Sequence, residues 1–189
     1  ALNVGTFQHS WQGTDPVLLE RGVSVAASVA RWAAEADLAV GLIANGAFPG
    51  QGRPIRIGVG QHPDRLNRIL EALAAVSAFT MSSLARELEG ASTGALPAGS
   101  TVVVIAAVMP DELAATLLRL RGDGHYVHVV KTSEREWDAN LGRIAVNDVS
   151  AFMTSQEVAT ALELAADELA SQQEPAVAGV VPPGAAVSG

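Results

Sequence analysis

Two uninterrupted apolar runs constrain this chain most: "DLAVGLIANG" at 37–46 and "TVVVIAAVM" at 101–109. Neither alternates polar with apolar, as a strand with one wet face would. Each therefore reads as a strand covered on both faces, the pattern of a parallel sheet between helical layers. The run at 101–109 is the expected centre of the sheet, with 101–108 as its strand. The segments between the runs have helical periodicity, and strand–helix alternation of this kind gives a mainly parallel, Rossmann-like α/β sheet with helices on both faces.

The remaining elements fit around these two. Residues 2–7 read as a first strand that enters the polar loop "QHSWQGTDP". Asp15 is a suitable N-cap and Pro16 a suitable first helical residue for "PVLLERGVSVAASVARWAAEA". That helix is apolar nearly all round, which predicts burial, with Gly22, Ser24, Ala27 and Ser28 allowing close approach. "IRIGVG" alternates as an edge strand does, and "GQGRP" is its hairpin turn, so 54–59 should lie antiparallel to 38–44. Helices are predicted over "HPDRLNRILEALAAV", with a stripe of Leu66, Ile69, Leu70 and Leu73, over "MSSLARELEG", and over "PDELAATLLRLRGDG". "HYVHVV" is a further strand, with 126–130 in the parallel sheet, and "GRIAVND" a last short one. A helix capped by Ser155 follows. The domain is expected to span 1–172, and 173–189 to form a flexible Pro/Gly/Ala tail.

Composition excludes several functions. Net charge is −8, with 20 acidic residues against 12 basic ones, which argues against nucleic acid as a partner. There is no cysteine, so thiolate metal sites, disulfides and Cys nucleophiles are out. No apolar run reaches the roughly 18 residues that cross a bilayer. The chain opens without Met, inside a strand, and reads as a piece of a longer protein.

An antiparallel hairpin straight after the first βα unit is the topology of von Willebrand factor A domains. Thr6, Trp11, Gly13, Glu20, the helix segment 25–30 and the strand segment 40–46 sharpen the likeness, as do "RLNRILEALAAV", "LPAGSTVVVIAAV" and "LLRLRGDGHYVHVV". Over about 2–131 the chain resembles the von Willebrand A-like half of a bacterial domain-of-unknown-function family, number fifty-eight. The resemblance implies two membrane spans upstream and a cytoplasmic domain tethered to the inner membrane. It also implies a MoxR-type AAA+ ATPase as neighbour and partner.

Von Willebrand A domains hold Mg²⁺ with Asp-x-Ser-x-Ser after the first strand, a Thr from a second loop and an Asp after the central strand. This chain offers Asn3-Val4-Gly5-Thr6-Phe7 at the first place and Ala106, Ala107 and Val108 at the last, with Asp111 displaced beyond Pro110. The carboxylates that would suit a hard cation are missing, so neither metal nor cofactor is expected. Adjacent His9 and Ser10 rarely meet the geometry of a catalytic pair. His125 and His128 have odd spacing and fall on opposite faces of a strand. The cations of "RLR" at 119–121 offset the dipole of the helix that they end.

The expected function is therefore a non-enzymatic protein–protein interaction domain with a degenerate metal site. Two alternatives stand beside it: a metal-dependent binder with a non-standard site, and an enzyme using His9, Asp111 and Glu134 at the carboxyl ends of the strands. Partner binding is expected at that edge, around 6–12, 45–48 and 109–111, through Thr6, Gln8, His9, Ser10, Trp11, Asn45, Phe48, Met109 and Asp111. For Trp11 the first expectation is a lid over the sheet end. The alternative, shared with Phe48 and Met109, is an apolar binding anchor.

Overall fold

The computed structural model describes residues 1–151 apart from 49, 51 and 93–95, all within a compact unit Ala1–Thr154. The helix expected from Ser155 and the tail at 173–189 lie outside the described residues. Among the described residues four α-helices, α1 (Pro16–Glu35), α2 (Pro63–Ala74), α3 (Leu84–Ser92) and α4 (Asp111–Gly122), accompany five strands. The strands are β1 (Val40–Ala47), β2 (Pro54–Gly60), β3 (Thr101–Ala106), β4 (Tyr126–Lys131) and β5 (Ala145–Asp148).

β1 and β2 form the expected antiparallel hairpin, whose turn uses the left-handed conformation at Gly50 (φ 76°) and Gly52 (φ 56°). β3, β4 and β5 form a three-stranded parallel sheet. Leu2 links the two sets, bridging Ala44 and Ile105, both in parallel sense. The strand expected over 2–7 thus shrinks to one bridging residue, and the cause is local. Leu2 N donates to Ile43 O at 2.8 Å and Asn3 N to Ile105 O at 2.9 Å, as in a ladder. From Val4 on, side chains replace the neighbouring backbone. Val4 N donates to Asn45 Oδ1 at 2.9 Å and Gly5 N to Asn3 Oδ1 at 3.2 Å. β3 ends the same way, at 106 instead of 108, because Ala107 O accepts from Ser133 Oγ and from Trp137 Nε1.

Asp15 caps α1 as its sequence implies, accepting from Val17 N and Leu18 N, with Pro16 in the first turn. The predicted all-round burial of α1 is restricted to one stripe, Gly22, Ala26, Ala30 and Ala33. Trp32, by contrast, is 64 % exposed. A Cβ on Gly22 would stand 3.3 Å from Leu2 Cδ1, so the missing side chain sets how closely α1 lies on Leu2. One apolar cluster joins α1 and α2 to β1, β2 and Leu2. A second joins α3 and α4 to β3 and β4, and Leu141 and Ile144 complete it. On α2, Ile69 and Leu73 of the predicted stripe are buried, whereas Leu66 and Leu70 are half-buried.

Candidate functional site

The carboxyl ends of β1, β3 and the Leu2 segment converge on a cleft of about 770 Å³. Its floor is built from amides. Asn45 Nδ2 donates to Asn3 Oδ1 at 3.0 Å and to Ser82 O at 3.3 Å, while Asn45 Oδ1 accepts from Val4 N. Asn3 Nδ2 reaches Val108 O at 3.4 Å. Both amides are buried, at 9 % exposure for Asn3 and 3 % for Asn45. Buried amides are stable only when partnered, and here each strand tip supplies the partner of another. The pair therefore fixes the spacing of three backbone segments.

The loop after the amides is held from two sides. Thr6, itself buried, accepts from Asp15 N through Oγ1 at 2.8 Å, and its carbonyl accepts from Arg135 Nη1 at 2.6 Å. The Arg135 guanidinium also lies over the Phe7 ring, 4.4 Å from its centroid. Residues Ser10–Gln12 form one 3-10 turn. Trp11 stands on it, 81 % exposed, stacked on His9 with 5.8 Å between centroids and 9° between planes. The expected lid is therefore not formed: a Trp so exposed covers little of the sheet end.

The structure separates the predicted residues into two groups. Thr6, Gln8, Trp11 and Asn45 line the cleft. His9 and Asp111 are exposed outside its described lining. Phe48 is half-buried against the α1–α2 cluster, and Met109 is 2 % exposed inside the α3–α4 cluster, so it offers a partner no side-chain surface. The start of the turn at Ser10 belongs to the same loop. Among the described lining residues, Glu112 is the single ionisable side chain.

Much of the opposite wall comes from 78–83, a segment that the sequence pattern assigns partly to a helix. It is stitched to β1 by Met81 N on Asn45 O (2.9 Å) and Ser77 N on Ala47 O (3.0 Å), with Thr80 bridging Gly46. A Cβ on Gly46 would lie 2.7 Å from Ser77 O, so this approach requires glycine. The available signal was "AFTMSS", large apolar groups among hydroxyls between two helices. Behind this wall, Glu87 is buried at 5 % exposure. It accepts from Ser82 Oγ at 2.6 Å and from Arg56 Nε at 2.8 Å.

Among the described residues no three His, Asp or Glu side chains gather as a metal site, and no helix is long and apolar enough to cross a membrane. No protein-family model, curated protein or solved structure matches the chain. The class that fold and site define is a mixed α/β protein. It joins an antiparallel hairpin to a three-stranded parallel sheet and has an amide-floored cleft at the strand ends.

Proposed function

We propose that this chain is a von Willebrand factor A-like interaction domain of the family-fifty-eight type. In this reading it has no catalytic role and takes a protein partner at the carboxyl edge of its strands. Strand order supports the fold: β2 antiparallel at one side, then β1, the Leu2 segment, β3, β4 and β5. The partner that the resemblance implies is a MoxR-type AAA+ ATPase. In the full-length protein the domain would be tethered to the inner membrane by spans upstream.

One observation carries the reading. The polar groups at the strand tips are bonded to one another, while a Trp at the rim is 81 % exposed. The same tips do not fit Mg²⁺. Asn3 Oδ1 already accepts two N–H groups and Asn45 Oδ1 a third, and neither residue bears charge. A large exposed indole beside a cleft is the usual anchor of a protein interface.

Two measurements test this. Binding of the purified ATPase should weaken roughly tenfold in Trp11→Ala, with the melting temperature nearly unchanged. Phe48→Ala should instead cost about 1–2 kcal/mol of stability, with affinity retained, since Phe48 packs on the core. Unchanged affinity in Trp11→Ala overturns the surface assignment. Millimolar Mg²⁺ or Mn²⁺ should not raise the melting temperature, because a ligand selective for the native state must stabilise it. A chelator-reversible rise would overturn the metal-free reading.

A further inference from the structure

We propose that the cleft selects a basic segment of its partner, with a Lys or Arg side chain set against Trp11 and Glu112 and apolar neighbours on Phe79 and Met81. The inference rests on the interaction reading of the same cleft and adds the chemistry of what enters it.

Charge is the first argument. Glu112 is the single ionisable side chain among the described lining residues, so the cleft presents a carboxylate and no cation. Its Oε1 accepts from Ser83 Oγ at a long 3.3 Å, and among the described residues Oε2 has no hydrogen-bond partner. Arg135, beside the loop, is committed elsewhere, with Nη1 on Thr6 O and the guanidinium over Phe7. An acidic ligand would meet no cationic side chain among the described lining residues. A basic one would also be drawn by the net charge of −8.

Surface is the second argument. Trp11 is 81 %, Phe79 71 % and Met81 39 % exposed, all on the same cleft. Apolar groups gathered at one concavity mark an interaction site more often than scattered ones do. His9 stacks on the indole, yet most of Trp11 remains accessible to solvent. An indole face is the aromatic surface to which a Lys or Arg cation binds best. A chain segment of one basic residue flanked by apolar ones satisfies the indole, the carboxylate and the apolar rim together.

The test is selection of a phage-displayed random heptapeptide library on the immobilised domain, with Trp11→Ala as counter-selection. The expected result is enrichment of Lys or Arg next to aromatic or aliphatic residues. The enriched peptide, made synthetically, should bind Glu112→Gln roughly three- to tenfold more weakly, and the loss should shrink in high salt. A Glu35→Gln control, in an exposed pair with Arg31, should bind as the parent does. Enrichment of acidic or uncharged peptides, no enrichment, or an undiminished affinity in Glu112→Gln overturns the proposal. If the ATPase nevertheless binds through Trp11, the interaction reading survives and only the ligand class falls. If the ATPase does not bind either, both fall.

Discussion

Two polar clusters meet at Ser82 and are built on opposite principles. Toward the strand tips, Asn3 and Asn45 are neutral, buried and bonded to backbone and to each other, with Ser82 O as one acceptor. Away from the tips, Glu87 is charged, and Ser82 Oγ and Arg56 hold it. The difference lies in access to water. The Arg56 side chain is 47 % exposed and that of Glu87 7 %, so the pair keeps one partner solvated. The amides floor the cleft at 9 % and 3 % exposure, and their partners are backbone groups and each other, with no charged side chain among them. At the strand tips, neutral groups that saturate one another avoid the cost of burying an ion without a charged partner. Bonded to one another and to three backbone segments, the amides form a structural clamp under the cleft.

If that is right, the largest effect follows from breaking the amides. Asn45→Leu leaves Val4 N and Ser82 O without this partner and Asn3 Oδ1 with Gly5 N alone, and should cost about 4 kcal/mol in urea unfolding. Asn45→Asp keeps an acceptor for Val4 N but faces Asn3 Oδ1 with a negative charge, so it should cost as much. Rescue of Asn45→Asp by Mg²⁺ would break the comparison, because the tips would then be a metal site lacking only its charge. Mild loss in Asn45→Leu would show that water replaces the amide.

The second effect should be smaller. Arg56→Met strands the Glu87 carboxylate with Ser82 alone and should cost about 2 kcal/mol, below the usual cost of breaking a fully buried pair because Arg56 is half in water. Glu87→Gln, which keeps the Ser82 contact and leaves Arg56 free to solvate, should cost about half of that. Equal losses from Asn45→Leu and Arg56→Met, measured by urea midpoint at constant slope, would erase the distinction between the clusters.

The same contrast explains which parts were legible in the sequence. The hairpin, the cap at Asp15 and the strands at 40–47, 101–106 and 126–131 follow from local patterns: apolar runs, a Pro after an Asp, glycines in a turn. The first strand did not, because its end is decided by Asn45, 41 residues away from the Val4 N–H that it captures. Trp11 and Met109 read alike as large apolar groups near strand ends, yet one is 81 % exposed and the other 2 %. Met109 lies just before Pro110, the N-cap of α4, and is buried in the α3–α4 cluster. The wall at 78–83 was hidden because it is held by backbone bonds to β1, as from Met81 N to Asn45 O, which no local pattern announces.

The smallest effect lies at the far edge of the parallel sheet, where a charged contact has its carboxylate half in water. Asp148, the last residue of β5, sits beside Lys131, the last of β4, with Lys131 Nζ 3.0 Å from Oδ2. Its carboxyl is lowered from the ordinary 3.8 to about 2. The Ser150 hydroxyl contributes most, then the Ser150 backbone N–H and the Lys131 ammonium, all of which favour the ionised form. A depressed carboxyl contributes stability that is present above its unfolded value and lost as pH falls through the folded one, so this contribution should fade between about pH 4 and pH 2. Asp148→Asn removes that contribution, so the variant should match the parent near pH 2, fall slightly below it at neutral pH and have a flatter acid limb between, the margin being small because solvent screens the half-exposed carboxylate. The direct check is the carboxyl carbon shift of Asp148 followed against pH by NMR. Titration near 4 would mean that β5 does not hold its partner in solution, and that the edge is looser than the amide clamp by more than exposure alone accounts for.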